Sequence, residues 1–399
     1  MTDTPWLTIV GLGEDGLKGL GAASRTALDA AEIVMGPPRH LELVGDLPCE
    51  THPWPVPFAD GIAPLLAYRG RRVVVLASGD PFWFGAGATL ARHLNPGEWR
   101  CLPGSSVFSL AANRMGWSLQ DIICLGLHAA PLTRMRPHLA PAMRLIVLLR
   151  DGAAVPDLAA YLVAQGFGGS NLAVLEALGG SRERITRMCA DTALPEGIQH
   201  PVCVAITVGG NGAVMPLASG RSDEWFETDG QITKHPIRAM TLSALAPRPH
   251  ELLWDIGGGS GSIAVEWLLA HPTMQAVSFE PRTDRAARIT ANAMRLGVDR
   301  LNVVTGAAPA CLADQPLPQA VFIGGGLSDD LLAWLVTHLA PGTRIVANAV
   351  SLESETLVAQ AQAQMGGDLI RLELSRAAPL GPRRGWKASY PIVQWSVQL

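Results

Sequence analysis

The feature that most constrains the fold is an alternation, repeated in two series, of short β-type apolar runs with alanine- and leucine-rich helical stretches. The first series extends from Leu7 to about Val208, and the second begins near Ile237. Such alternation is typical of α/β domains with largely parallel sheets. A polar, turn-rich segment separates the two series. The sequence therefore predicts an α/β domain over residues 1–214, a linker over 215–231 and a second α/β domain over 232–399.

The second series closes with two strand-like runs that have little helix between them. The loop SRAAPLGPRRGWKAS, residues 375–389, separates these runs. We expect the two runs to form an antiparallel hairpin that is added to a parallel, Rossmann-like sheet.

Composition argues against several classes of protein. Hydrophobic residues make up 48% of the 399 residues, but no apolar run is long enough to cross a bilayer, so no membrane association is expected. The net charge of −4 disfavours a nucleic-acid partner, since phosphate recognition usually needs a basic face. The N-terminal stretch MTDTPW lacks an export signal, so we expect a cytoplasmic location. The six cysteines are scattered without metal-ligand spacing, which favours core thiols over a metal site.

A glycine-rich loop in the second series marks a candidate cofactor site. In LLWDIGGGSGSIAVEWL a strand ends at Asp255, a helix begins near Ser260, and glycines alternate at positions 257, 259 and 261. A dinucleotide-binding fingerprint would need its third glycine at position 262, which is serine. The pattern D-x-G-x-G-x-G, followed by Glu280 at the end of the strand AVSFE, resembles the motifs of class I S-adenosylmethionine (SAM) methyltransferases.

That resemblance implies a SAM site built from backbone and one carboxylate. Glycines let the backbone pass close to the cofactor, and a carboxylate can accept hydrogen bonds from both ribose hydroxyls. In TGAAPACL the resemblance implies an adenine pocket, although relatives often carry aspartate at the position of Ala307. The strand ending VFIGGGL lacks the aromatic clamp of many nucleobase methyltransferases, which disfavours a nucleobase substrate. The implied cofactor-binding residues are Gly257, Gly258, Gly259, Ser260, Gly261, Glu280, Ala307 and Ala308.

The first series opens with TIVGLGEDGL, in which Gly11, Gly13 and Gly16 have the spacing G-x-G-x-x-G. A dinucleotide-binding enzyme would need an acidic residue at the end of the second strand to hold a ribose. Glu32 stands before the apolar run IVMG instead of after it. Two further loops, SGDPFWFGAG and PGSSVFSLAANRMGW, also follow strand-like runs. Together the three loops resemble those of the tetrapyrrole methylases, the class III SAM methyltransferases.

This second resemblance implies that SAM lies in a cleft between two αβα lobes of the first domain. Glu14 and Asp15 occupy the loop in which most of that family has a proline. His128 could be a core or capping residue or a site residue, and the sequence does not distinguish these roles. Asp80 could cap a helix that starts near Gly85 instead of contacting SAM. The implied cofactor-binding residues are Gly11, Leu12, Gly79, Asp80, Ser105, Ser106, Leu127 and Ala205.

A class III domain followed by a class I domain resembles the family of decarboxylating precorrin-6Y C5,15-methyltransferases of cobalamin biosynthesis. The stretch ITKHPIRAMTLSALAP supports this, because the family's second domain opens with a T-K-x-x-(I/V)-R helix that places Thr233 near the SAM carboxylate. The family implies methylation of a precorrin at C5 by the first domain. It implies methylation at C15, with decarboxylation of the C12 acetate, by the second. By analogy we also expect a homo-oligomer.

The residues themselves predict no catalytic acid, base or nucleophile. Methyl transfer from a sulfonium mainly requires alignment of two atoms, and an electron-rich macrocycle carbon is already a nucleophile. A precorrin carries many carboxylates, so the basic stretch 371–387 is a candidate substrate site, although it could equally be a solvated loop. The candidate substrate-binding residues are Arg376, Arg383 and Arg384.

Other functions compete with this interpretation. An NAD(P)-dependent oxidoreductase with two dinucleotide domains is disfavoured by Ser262 and by the position of Glu32. A SAM-binding protein with only one active site also fits the motifs. An RNA methyltransferase built on the second domain would need a basic surface, which the composition does not suggest.

Overall fold

The computed structural model describes residues 5–193 and 195–399. The first four residues, which belong to the stretch examined for an export signal, lie outside that range. The chain divides into two compact units: the first consists of the residues up to Ala130 and of His138–Ala213, and the second of Pro131–Pro137 and Val214–Leu399. Within the described residues, no helix combines the length and the apolar character that crossing a membrane requires.

The first sheet of the first unit is parallel throughout. Its strands are β1 (Leu7–Leu12), β2 (Ile33–Gly36), β3 (Glu50–Pro53), β4 (Val73–Ser78) and β5 (Trp99–Leu102). Their order across the sheet is β3-β2-β4-β1-β5, which places the apolar β4 and β1 beside each other at the centre. All six residues of β1 are buried, as expected for a central parallel strand. The associated helices are α1 (Ala22–Asp29), α2 (Pro38–Val44), α3 (Ile62–Ala67) and α4 (Gly87–Ala91), with 3-10 turns at Gly16–Gly19 and Phe58–Gly61.

The second sheet of this unit is mixed. Helix α5 (Val107–Met115) follows β5 and packs Phe108 and Ala111 on the second sheet. The strand order is β6-β7-β10-β8-β9, in which only β6 and β7 are parallel. The remaining elements are β6 (Ile123–Gly126), β7 (Arg144–Leu148), α6 (Ala154–Ala164), β8 (Asn171–Glu176), β9 (Arg184–Cys189) and β10 (Val202–Thr207), with a 3-10 turn at Leu119–Asp121. The 3-10 turn Leu132–His138 lies, except for His138, in the second unit.

The second unit contains a seven-stranded Rossmann-like sheet. A 3-10 turn, Asp223–Trp225, precedes it. The elements that follow are α7 (His235–Leu245), β11 (Leu252–Ile256), α8 (Ser262–Ala270), β12 (Gln275–Glu280), α9 (Thr283–Arg295), β13 (Asn302–Thr305), β14 (Ala320–Ile323), α10 (Asp329–His338), β15 (Arg344–Ala349), α11 (Leu352–Met365), β16 (Asp368–Leu372), β17 (Ser375–Leu380), β18 (Arg383–Ala388) and β19 (Ile392–Gln398).

The strand order of this sheet is β13-β12-β11-β14-β15-β19-β16. The first five strands are parallel, and β19 inserts antiparallel between β15 and β16. Separate apolar cores cover the two faces, with Trp267 buried on one face and Trp254 and Trp395 on the other. The carboxyl ends of the parallel strands therefore meet along one edge, where ligands bind in open α/β sheets.

The structure differs from the sequence prediction in the stretch 375–389, which was expected to be a loop. It forms a second antiparallel hairpin, β17 with β18, that turns at Gly381 and stands outside the main sheet. Most of its residues are exposed, so the hairpin has no alternation of buried apolar residues by which the sequence could have revealed it.

The segment predicted to be a linker packs against the second unit. Met215 and Phe226 are each 5% exposed and belong to its core. Arg221 is buried beside Glu266 of α8. Residues 215–231 thus make specific contacts in spite of their polar, turn-rich composition.

Candidate functional site

The glycine loop of the second unit follows β11 and leads into α8. Gly257, Gly259 and Gly261 have φ angles of +73°, +60° and +72°, a region that favours glycine. A Cβ atom on Gly257 would lie 2.6 Å from the backbone nitrogen of Gly325. The loop after β11 therefore lies directly against the loop after β14, and a side chain at position 257 would not fit between them.

Glu280 ends β12 beside this loop and is 3% exposed. Its Oε2 atom accepts a hydrogen bond from the Gly259 N–H at 2.9 Å, and its Oε1 accepts one from the Arg282 N–H at 3.1 Å. These two bonds fix the carboxylate, while each oxygen keeps a second acceptor position. The group is thus oriented to accept hydrogen bonds from hydroxyls of a ligand that lies on the glycine loop.

A cavity of about 930 Å³ opens at this edge of the sheet, a volume at the upper end of the range for small-molecule sites. Ser260 and Gly261 are not among the residues at its wall. Ser260 is 1% exposed, and its hydroxyl donates to the Gln231 carbonyl at 2.7 Å. The other residues predicted for the second domain that line the cavity are Thr233, Gly257, Gly258, Gly259, Glu280, Ala307, Ala308 and Arg376.

The T-K-x-x-I-R stretch holds Thr233 at the cavity through Arg238 of α7. Arg238 is fully buried and donates to the Thr233 carbonyl at 2.5 Å and to Glu266 Oε1 at 2.8 Å. Its guanidinium also lies over the Phe226 ring, 4.8 Å from the centroid. The arginine of the motif is therefore a positioning residue for the segment that carries Thr233.

Asp255 lies at the end of β11 beneath the glycine loop and is 1% exposed. Burial raises the pKa of this carboxyl to about 7, and the negative charge of Glu280 adds to the rise. The Ser278 hydroxyl, which donates to Asp255 Oδ2 at 3.2 Å, acts in the opposite direction. Asp255 supports the loop from below and does not belong to the cavity wall.

Among the described residues, four cationic side chains line the cavity. Arg285 pairs with Asp229 at 2.9 Å, and the Lys234 Nζ lies 3.9 Å from Asp223. Arg376 of β17 and Lys387 of β18 have no ion-pair partner among the described residues. These two are the cations at the wall that remain available to a ligand.

Arg383 and Arg384 lie elsewhere than predicted. They begin β18 next to the hairpin turn, are exposed, and are not among the residues at the cavity wall. Lys387, at the other end of the same strand, is at the wall instead. The basic stretch contains cations at the cavity wall and cations away from it, and the strand direction determines which of them reach the wall.

Asn348 is a wall residue that sequence reasoning missed. Its Nδ2 donates to the Thr241 hydroxyl at 2.8 Å, and its Oδ1 accepts from Gln394 Nε2 at 2.8 Å. Because the amide nitrogen can donate twice and the amide oxygen can accept twice, each has capacity for one further hydrogen bond. The only sequence signal was its position near the end of a parallel strand, β15.

In the first unit, the three loops that resembled a methylase cleft come together. The Gly79 N–H donates to the Leu12 carbonyl at 2.9 Å, and the Gly104 N–H donates to the Gly79 carbonyl at 2.9 Å. A Cβ atom on Gly11 would lie 1.9 Å from the Gly79 oxygen. Gly11 is therefore required for the contact between the ends of β1, β4 and β5.

The other residues predicted for this cleft lie at different depths. Ser106 caps the N-terminus of α5 by accepting from the Ser109 N–H at 3.1 Å, and Ser105 is exposed before it. Leu127 is 6% exposed just after β6. Ala205 is buried in the middle of β10, with a paired strand on each side. His128 is exposed, so it is not a core residue.

The alternative that Asp80 caps a helix near Gly85 is wrong. Helix α4 begins at Gly87, and its capping residue is Ala86. Asp80 instead accepts a hydrogen bond from the Phe82 N–H at 2.9 Å, which closes a tight turn. Phe82, Trp83 and Phe84, which follow this turn, are 43%, 37% and 49% exposed. The loop that follows β4 thus carries three aromatic side chains that are each partly exposed.

All six cysteines are free, and of these only Cys203 is buried. Burial raises the pKa of Cys203 to about 12. The other five are half-buried, so the expectation of core thiols holds fully only for Cys203. In the described ranges, no three histidine, cysteine or acidic side chains are grouped so that they could hold a metal ion.

Two family models match the chain. Residues 6–193 match the tetrapyrrole (corrin/porphyrin) methylases, and residues 224–399 match the precorrin methyltransferase domain. A precorrin-6Y C(5,15)-methyltransferase [decarboxylating] from Sinorhizobium sp is 51% identical over 398 residues, which cover 98% of this chain and 96% of that protein. The chain belongs to the precorrin-6Y C(5,15)-methyltransferase (decarboxylating) family. A further member, from Mycobacterium tuberculosis, is 38% identical over 400 residues, 98% of this chain and 99% of that protein.

Among solved structures, the C-terminal domain of precorrin-6Y C5,15-methyltransferase from Rhodobacter capsulatus is 57% identical. The matched region covers 46% of this chain and 100% of the solved chain, with a TM-score of 0.45. Family membership confirms the predicted pairing of a tetrapyrrole methylase domain with a second methyltransferase domain. It gives no support to the NAD(P)-dependent oxidoreductase.

Proposed function

We propose that this protein uses SAM to methylate precorrin-6Y at C5 and C15 and removes the carboxyl group of the C12 acetate, as a step of cobalamin biosynthesis. The observation that carries the proposal is family membership over 98% of the chain. We assign C5 methylation to a domain over residues 1–214, and C15 methylation with decarboxylation to a domain over 232–399. A homo-oligomer and a cytoplasmic location stay predictions.

The cavity of the second unit fits SAM. SAM would supply an electrophilic methyl group to a nucleophilic carbon of the substrate. Gly257, Gly258 and Gly259 line the cavity without side chains, so a ligand can approach their backbone closely. The fixed Glu280 carboxylate can accept from ribose hydroxyls, and Ala307 and Ala308 line the same cavity. Holding the two reacting atoms in line can contribute up to about 7–11 kcal/mol to lowering the barrier.

The first unit supports a second SAM site on different grounds. Its loops after β1, β4 and β5 join through backbone hydrogen bonds at Gly79 and Gly104. This arrangement offers close-packed backbone without a side chain at Gly11. We propose that SAM contacts these loops together with Asp80, Ser105 and Ser106.

We further propose that the substrate's carboxylates contact Arg376 and Lys387 at the second site. Both line the cavity, and neither has an ion-pair partner among the described residues. Arg383 and Arg384, on the same hairpin, remain candidates for carboxylates that extend beyond the cavity. No side chain needs to remove a proton from an electron-rich carbon, and the macrocycle can act as the electron sink for decarboxylation.

The test begins with calorimetric titration of the full chain with S-adenosylhomocysteine. Two sites per chain are expected for the wild type. Glu280→Gln should weaken one of them roughly 10- to 150-fold, the equivalent of a lost charge-assisted hydrogen bond. The exposed Glu373→Gln is the matched control and should leave both sites intact.

Turnover completes the test. With SAM and precorrin-6Y, mass spectrometry should show two added methyl groups and the loss of one CO2. A single site per chain would instead support a SAM-binding protein with only one active site. Binding of NAD without binding of S-adenosylhomocysteine would refute the proposed function.

A further inference from the structure

The first unit contains a charged cluster that the motifs did not identify. It lies at the carboxyl ends of β1, β2 and β4, the same edge of the sheet as the three joined loops. Glu14 follows β1, Arg39 and His40 open α2 after β2, and Ser78 ends β4. Arg182 reaches the cluster from the loop between β8 and β9 of the other sheet.

Two guanidinium groups share one carboxylate in this cluster. Arg39 Nη1 pairs with Glu14 Oε1, and Arg182 Nη2 lies 3.4 Å from Glu14 Oε2. The Glu14 side chain is 8% exposed, whereas those of Arg39 and Arg182 are 27% and 53% exposed. Burial, followed by the positive charge of Arg182, lowers the pKa of Arg39. Positive charge therefore exceeds negative charge in this cluster, on its exposed side.

His40 and Ser78 hold Arg39 in place. His40 is 1% exposed, and burial followed by the charge of Arg39 lowers its pKa to about 4, so the ring is neutral at physiological pH. Its Nε2 lies 2.9 Å from Arg39 Nη2 and 3.1 Å from the Ser78 hydroxyl. Arginine can only donate, so Nε2 is the acceptor in the first contact. The neutral histidine fixes the guanidinium without cancelling its charge.

The cluster stands directly beside the proposed SAM loops. Ser78 precedes Gly79, and Glu14 lies two residues after Leu12. The two sheets approach closely here, because a Cβ atom on Gly180 would lie 2.7 Å from the Glu14 Cβ. A substrate bound next to these loops would bring its peripheral carboxylates within reach of both arginines.

We infer that Arg39 and Arg182 bind a carboxylate side chain of the tetrapyrrole substrate in the first domain, with Glu14, His40 and Ser78 as positioning residues for Arg39. The inference rests on the proposed function, which named substrate-binding residues only for the second domain, and it adds such residues for the first. Arginine suits the role, since its planar fork can bind a carboxylate through two parallel hydrogen bonds. Glu14 and Asp15 stand in the loop in which most of the tetrapyrrole methylases have a proline.

The experiment compares Arg39→Ala, Arg39→Lys and Arg182→Ala with Arg92→Ala, a control at the exposed C-cap residue of α4 in the same lobe. C5 methylation of precorrin-6Y is followed by mass spectrometry, and S-adenosylhomocysteine binding is measured in parallel on the full chain. Arg39→Ala and Arg182→Ala should each raise KM roughly 10- to 150-fold while two S-adenosylhomocysteine sites remain. Arg39→Lys should recover part of that loss, and Arg92→Ala should match the wild type.

The inference is overturned if both alanine variants keep the wild-type KM. If Arg39→Ala also loses S-adenosylhomocysteine binding, that substitution has damaged the fold. The KM of Arg182→Ala, at the more exposed arginine, then decides whether the inference stands. Failure of the wild type to methylate precorrin-6Y would refute the proposed function instead, so the two failures are distinguishable.

Discussion

The buried ion pair of Arg238 with Glu266 gives the sharpest prediction about stability. Both side chains are completely inaccessible to solvent. The two Glu266 oxygens accept hydrogen bonds from the backbone N–H groups of Gly220 and Arg221, at 2.6 and 3.0 Å. They also accept from the side chains of Arg221 and Arg238, at 3.3 and 2.8 Å. This one carboxylate joins α8 to α7 and to the segment 215–231.

Glu266→Gln preserves the shape but removes the charge and one acceptor oxygen. The amide nitrogen of glutamine would then face groups that can only donate. Breaking a buried ion pair by removing one partner costs about 3–5 kcal/mol. For a domain of this size each kcal/mol lowers the melting temperature by about 2–4 °C, so we expect a decrease of about 6–20 °C for the second unit.

Calorimetric melting of the full chain tests this expectation, and hydrogen exchange at α7 and α8 locates the loss. The matched control is Glu373→Gln, whose partner Arg371 lies 3.2 Å away with both side chains more than half exposed. That pair should contribute about 1 kcal/mol or less. Equal decreases in melting temperature for the two variants would refute the assignment of Glu266 as the central acceptor.

Two other substitutions test the glycine loops. Gly11→Ala places a Cβ atom 1.9 Å from the Gly79 oxygen, so it should abolish C5 methylation and lower the melting temperature; Gly21→Ala, with nothing within 4 Å of its Cβ position, should do neither. Asp255 has its pKa raised to about 7 by burial, so it contributes stability at low pH that is lost as the pH rises from about 4 to about 7. Asp255→Asn should therefore gain in melting temperature relative to the wild type between pH 5 and pH 8, whereas a difference that does not depend on pH would contradict the assignment.

The sequence predicted the fold where burial and periodicity agree. Strands such as β1 and β4 are continuous apolar runs buried in a parallel sheet, which is the pattern that makes them visible. The hairpin of β17 and β18 was missed because most of its residues are exposed and show no alternation of apolar and polar positions. The contacts of residues 215–231 were missed because single residues, such as Phe226 and Arg221, make them without any periodic pattern.

The candidate site was predictable to the extent that it depends on backbone. Gly257 has a positive φ angle, and Gly11 allows a close approach of the Gly79 backbone. Only glycine meets such requirements easily, so the sequence itself shows these positions. The Arg39 cluster joins residues from four separate segments through side chains, and no local pattern relates them. Lys387 and Arg384 are both cations of β18 and differ in their position along it. Composition therefore cannot show that Lys387 lines the cavity and Arg384 does not.

The positive wall of the second cavity constrains how decarboxylation can occur there. Loss of CO2 removes the negative charge of the departing carboxylate, so a cation that binds this carboxylate stabilises the ground state more than the transition state. We therefore expect Arg376 and Lys387 to bind carboxylates that the substrate retains, and the departing carboxylate of the C12 acetate to face the apolar part of the wall, which includes Ile232, Leu372 and Leu374. Lys387→Met should then raise KM for the second-domain reaction while kcat for CO2 release stays the same or increases. A lower kcat at saturating substrate would show that Lys387 acts on the departing group itself.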